Sequence, residues 1–183
     1  MTLHSEIFEQ PERLAALLAH QKQTVLDLAK AIKARNIDYV FLAARGTSDN
    51  AAQFGRYLIE ITTGIPVSLS APSIHTVYGA KVDYKDALVV AISQSGESTD
   101  TNLVLEQARA DGALTVGITN EPKSSLAGLA EHVFLVRAGR EKSVAATKTY
   151  TGQLLVLYLV ACALGANIKE SALQLIPDLA EKA

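Results

Sequence analysis

Ala87-Leu88-Val89-Val90-Ala91-Ile92, followed at once by Ser93-Gln94-Ser95-Gly96-Glu97-Ser98-Thr99, decides how the chain folds. The first six residues form an uninterrupted apolar run, the pattern of a strand whose sheet is covered on both faces, as parallel sheets are. The next seven carry four hydroxyls and one glycine. They lead into a helix bearing Leu103, Val104 and Ala108 that stops at Asp111-Gly112.

The same alternation extends in both directions. Upstream, Asp38 to Ala44 reads as a strand and Arg45-Gly46-Thr47-Ser48 as its turn. A helix with Phe54, Tyr57, Leu58 and Ile61 on one face follows, closed by Gly64, and then a strand from Ile65 to Leu69 with Pro66 near its beginning. Before these, Leu14, Leu17, Leu18, Val25, Leu28 and Ile32 recur at helical spacing, with Pro11 placed to open that helix. Downstream come strands at Leu114 to Ile118 and His132 to Val136, a long helix from about Thr147 to Leu164, and a short one near Glu170 to Glu181. Strands separated by helices imply a three-layer α/β fold around a five-stranded parallel sheet. In the flavodoxin-like order 2-1-3-4-5, the first and third strands flank the switch point, where ligands bind beyond the carboxyl ends. Both unusual turns follow those two strands. We expect residues 1–36 to form an N-terminal helical segment packed on a domain spanning 37–183.

Composition narrows the class. The chain has 183 residues, 49% of them hydrophobic, enough to build a core without staples. Seventeen basic against nineteen acidic residues give a net charge of −2 and no basic field for nucleic acid. The longest apolar run, Leu154 to Leu164, is 11 residues, short of the roughly 20 needed to cross a bilayer. No secretory signal opens the chain, so a soluble cytoplasmic protein is expected. His4, His20, His75 and His132 lack metal-ligand spacing, and neither a P-loop nor a dinucleotide fingerprint occurs, so no metal or cofactor is expected. Cys162 lies in the apolar run and reads as a structural thiol.

The Ser93–Thr99 turn suits an anion: N–H groups of a first helical turn point outward, the helix dipole favours negative charge, and hydroxyls rotate to donate. The alternative is that Ser98 or Thr99 merely caps the helix, although a cap needs only one hydroxyl. Arg45 to Asn50 reads either as ordinary N-cap and turn material or, paired with the first across the switch point, as the expected second wall of one pocket.

Residues 88–101, with Ala-Arg-Gly-Thr-Ser (44–48) and Glu-Lys-Ser-Val-Ala-Ala-Thr-Lys-Thr-Tyr-Thr (141–151), resemble the sugar isomerase (SIS) domain family. Glu6-Ile7-Phe8-Glu9-Gln10-Pro11 is similar to the opening of the isomerase part of glucosamine-6-phosphate synthases and of related amino-sugar-phosphate deaminases. The resemblance implies a SIS fold and binding of a phosphosugar of the fructose 6-phosphate or glucosamine 6-phosphate type. Ser93, Gln94, Ser95 and Ser98 would hold the phosphate, with Thr47 and Ser48 on the sugar. Ser98 stands where Thr is common and keeps the hydroxyl, whereas Ala146 stands where relatives commonly carry Ser. Lys148 matches the family's lysine, or is a surface lysine near a helix start.

Thr2 occupies the position of the synthases' nucleophilic Cys, so glutamine hydrolysis is not expected. Enzymes with two SIS domains place their catalytic Glu, His and Lys largely in the second domain and the carboxyl tail, so the full catalytic set is not expected within these 183 residues. Isomerisation needs a base near the C1 and C2 protons. Glu97 and Glu141 are the acids in family-matched turns and the candidates for it. The expectation is a phosphosugar-binding SIS domain of an isomerase or deaminase, its site completed by a homodimer partner or a second SIS domain. Two alternatives stay open: a complete single-SIS isomerase working as a homo-oligomer, and a non-catalytic phosphosugar sensor. No nucleic acid or membrane partner is expected.

Overall fold

The structure, a computed structural model, describes residues 2–143 and 145–182; Met1, Val144 of the 141–151 motif, and Ala183 lie outside them. In chain order the elements are α1 (Leu3–Phe8), α2 (Gln10–Arg35), β1 (Tyr39–Ala44), α3 (Thr47–Thr63), β2 (Val67–Leu69), α4 (Ser73–Thr76) and β3 (Ala87–Ile92). They continue with α5 (Thr99–Ala110), β4 (Leu114–Thr119), α6 (Ser125–Leu129), β5 (His132–Leu135), α7 (Lys148–Ala163), α8 (Glu170–Gln174) and α9 (Ile176–Lys182). The five strands lie in the order β2-β1-β3-β4-β5, every neighbouring pair parallel. This is the doubly wound order that the two turns anticipate.

Alternate residues of each strand feed two cores. Val40, Leu42, Leu88, Val90, Ile92, Val116 and Ile118 face the larger one, with α2, α3 and α7. Ala43, Ala87, Val89 and Ala91 face the smaller one against Val104, Leu105 and Ala108 of α5, where the alanines let that helix lie close. Helix α7 is apolar on all sides because it is enclosed: Leu155, Val156, Leu157, Leu159 and Val160 are buried within the domain itself. Burial of each such side chain contributes about 1.5–3 kcal/mol. At Gly152 a Cβ would stand 2.3 Å from a methyl of Val136, so glycine is what allows α7 to lie against the chain leaving β5. No helix among the described residues is long and apolar enough to cross a membrane.

Three short helices, α1, α4 and α6, escape a reading based on period because four to six residues contain too few turns to show one. The carboxyl-terminal helical stretch is divided at Leu175, with Pro177 in the first turn of the second piece, where it forfeits no intrahelical donor.

Candidate functional site

Ala44 and Ile92 are register partners, so the chain leaves β1 and β3 at one level and the turns 45–48 and 93–98 emerge side by side. They form two walls of a cavity of about 230 Å³, and the beginning of α7 with the loop before it forms the third. Thr47, Ser48, Ser93, Gln94, Ser95 and Ser98, the residues singled out from sequence for ligand contact, all line it. Arg45 stands at the rim and reaches across the switch point to Asp100 at 3.1 Å, tying the first two walls together.

The β3–α5 turn is built by its own polar groups. Ser93 Oγ accepts the N–H of Gly96 at 3.1 Å, and Ser95 Oγ accepts that of Glu97 at 3.2 Å. The carbonyl of Gln94 accepts from Asn120 N–H at 3.0 Å and from Thr119 Oγ1 at 3.2 Å, which braces the turn on the end of β4. Ser98 occupies the N-cap position of α5, yet its side chain makes no capping bond; its hydroxyl pairs with that of Thr101 at 3.0 Å. Gly46, the N-cap of α3, likewise supplies no side-chain cap. Two helices of 12 and 17 residues therefore direct amino termini without a side-chain cap at the same cavity. Such ends combine free N–H donors with the positive end of the helix dipole.

The third wall combines Ala146 and Thr149 of the 141–151 motif with Gln153, which sequence reasoning passed over. Gln153 of α7 is 2% exposed, lines the cavity and donates from Nε2 to Ser48 Oγ at 3.0 Å. Its Oε1 is buried without a protein partner, an acceptor that a ligand hydroxyl would satisfy. A lone Gln at the head of an eleven-residue apolar run was the available signal. Ala146 and Thr149 complete this wall.

The two candidate acids are both engaged. Glu97 accepts from the hydroxyl of Ser125 at 2.7 Å and from its N–H at 2.9 Å, capping α6, and it does not line the cavity. Those bonds, the hydroxyl's foremost, hold its carboxyl below the ordinary range. Glu141 gathers the start of α7: it accepts from Thr147 N–H at 2.8 Å and Thr147 Oγ1 at 3.0 Å, and also from the N–H and hydroxyl of Thr149. The side-chain amide of Gln94 reaches it at 3.3 Å, joining the second wall to the third. Lys148 is not on the surface. It is 1% exposed and paired with Glu9 at 2.7 Å. Cys162 is half-buried among apolar neighbours, and burial pushes its thiol up, away from nucleophilic use.

A doubly wound parallel sheet with a hydroxyl-lined cavity at its switch point defines a class of open α/β domains. Within that class the chain belongs to the SIS domain family, whose model matches residues 32–163. The glutamine–fructose-6-phosphate aminotransferase (isomerizing) 1 of Arabidopsis thaliana is 38% identical over 178 residues, covering 90% of this chain and 26% of that protein. A provisionally assigned phosphosugar isomerase from Silicibacter pomeroyi DSS-3 superposes with a TM-score of 0.91 at 35% identity, over 97% of this chain and 55% of that one. The C-terminal domain of glucosamine-fructose-6-phosphate aminotransferase from Francisella tularensis does so at 0.79 with 30% identity, over 97% and 51%. The chain thus spans about a quarter of the Arabidopsis relative and about half of either solved chain.

Proposed function

We propose that this domain binds a phosphorylated sugar, the phosphate held by Ser93, Gln94, Ser95 and Ser98 and the sugar lying against Thr47, Ser48 and the Ala146–Gln153 wall. The reading rests on the convergence of two helix amino termini without side-chain caps and a cluster of hydroxyls on one cavity at the switch point. A phosphate group needs donors, and these ends supply them without a lysine. The relatives' names, which specify fructose 6-phosphate aminotransferases and a phosphosugar isomerase, point to the same ligand class.

Glu97 and Glu141 spend their carboxylates on Ser125 and on Thr147 and Thr149, so we assign the base for isomerisation to neither. It would come from a partner, either a second SIS domain or a second copy of this chain, and the exposed side chains of Tyr57, Ile61, Val77 and Tyr78 offer apolar surface for one. Residues 1–36 serve in this reading as a helical accessory to the binding unit 37–183, in a cytoplasmic setting.

The test is titration calorimetry with fructose 6-phosphate and glucosamine 6-phosphate. One hydrogen bond to a charged group contributes about 1.5–3 kcal/mol, so Ser95→Ala should weaken binding roughly 10- to 100-fold. Unchanged affinity would overturn the assignment. A coupled turnover assay run beside light scattering tests the partner: turnover by the chain as a monomer removes the need for one.

A further inference from the structure

Helix α1 docks in an inverted manner. Its apolar side chains Leu3, Ile7 and Phe8 are 44%, 43% and 69% exposed, whereas Glu6 is fully buried. A helix that buries its carboxylate and leaves its hydrophobic residues in water is held by that carboxylate and not by apolar burial. Glu6 Oε1 accepts the N–H of Lys142 at 2.7 Å, and Oε2 accepts that of Ser143 at 3.2 Å. Three residues further on, Glu9 takes the buried ammonium of Lys148. Both acids lie outside the matched residues 32–163, and both land on the segment whose other side presents Ala146 and Thr149 to the cavity. Glu6 therefore holds the backbone at Lys142 and Ser143, while Glu141, the residue just before them, holds Thr147 and Thr149.

We infer that Glu6 is a positioning residue of the sugar site: without touching the ligand, it sets the wall of Ala146 and Thr149 against which the sugar of the proposed phosphosugar lies. The inference rests on the phosphosugar reading. Glutamine is no substitute, since its carbonyl accepts one N–H while its NH₂ confronts the other, donor against donor.

Calorimetry with glucosamine 6-phosphate and with inorganic phosphate, on the full chain and its Glu6→Gln, Ser95→Ala and Glu12→Gln variants, separates the possibilities. Glu6→Gln should weaken glucosamine 6-phosphate roughly 10-fold and leave inorganic phosphate within about twofold, because Ser93, Ser95 and Ser98 are fixed by bonds within their own turn and to Thr101 of α5. Glu12→Gln, on an exposed side chain, should change neither. Loss of both ligands to the same degree in Glu6→Gln, or no loss of either, overturns the inference. A Ser95→Ala variant that binds both ligands like the wild type overturns instead the reading beneath it. Hydrogen exchange on the wild-type chain needs no variant: glucosamine 6-phosphate should slow the amides of Lys142 and Ser143, and inorganic phosphate should not. Exchange indifferent to the sugar phosphate also overturns the inference.

Discussion

Replacing Gly96 with alanine tests the geometry of the cradle. Gly96 has φ +69°, a left-handed conformation that costs a residue with a Cβ roughly 1–2 kcal/mol. The new methyl would stand 2.2 Å from Ser124 Oγ, 2.4 Å from Ser124 Cβ and 2.9 Å from Thr119 Oγ1. Two of these belong to Ser124, whose Cβ cannot rotate away and whose Oγ accepts Ala127 N–H at 3.3 Å to cap α6. The loop must shift by about an ångström, adding an overpacking cost of about 1–3 kcal/mol and some of a cap worth about 1 kcal/mol. The sum is about 2–6 kcal/mol, and at about 2–4 °C per kcal/mol for a domain of this size it lowers Tm by roughly 4–24 °C. Gly112→Ala is the control: φ is +84° but nothing lies within 4 Å of its Cβ, so only the backbone cost of about 1–2 kcal/mol applies, a fall of roughly 2–8 °C. Thermal denaturation followed by circular dichroism compares the two. If Gly96→Ala melts no lower than Gly112→Ala, the close approach of Gly96 to Ser124 does not govern this turn and the reasoning fails.

Glu6 carries a pH dependence. Hydrogen bonds from Ser143 first and Lys142 second hold its carboxyl below the ordinary 4.5, so the stability it contributes is complete above that value and is lost as pH falls through the lower folded one. Chemical denaturation of wild type and Glu6→Gln should give a stability gap that is steady near neutral pH and closes on acidification; a gap that widens in acid contradicts the assignment. Gln153→Met removes the bond to Ser48 together with the unpaired Oε1, so stability should change by no more than about 1 kcal/mol while glucosamine 6-phosphate binding weakens by about threefold or more. Unchanged affinity would take Gln153 out of the site.

The sheet was legible because its strands are continuous apolar runs. β3 spans Ala87–Ile92 as read, and β2 begins only at Val67, after the proline that cannot join a ladder as a donor. Both turns that line the cavity were legible for the same reason: hydroxyls and glycine immediately after a buried strand are a local signal. Gln153 of the third wall was not. Gln153 matters because α7 lies against α3, bringing it to a serine 105 residues away, and no local pattern encodes that distance. Glu6 and Glu9 stood in a recognisable motif, but their partners lie 136 to 139 residues further on. Lys148 read equally well as a surface lysine until Glu9 arrived to neutralise it in the interior.

The cavity draws its walls from segments near residues 45, 95 and 150, separated by about fifty residues each, the first two brought level by the parallel register of β1 and β3 and the third by α7 lying against α3. None of the three contains a site by itself, so holding a ligand and being folded are a single cooperative event. A ligand at 100 times its dissociation constant would then add about 2.7 kcal/mol to the stability of the whole domain. A shift in melting temperature thus becomes a screen able to rank candidate sugar phosphates without any assay of turnover.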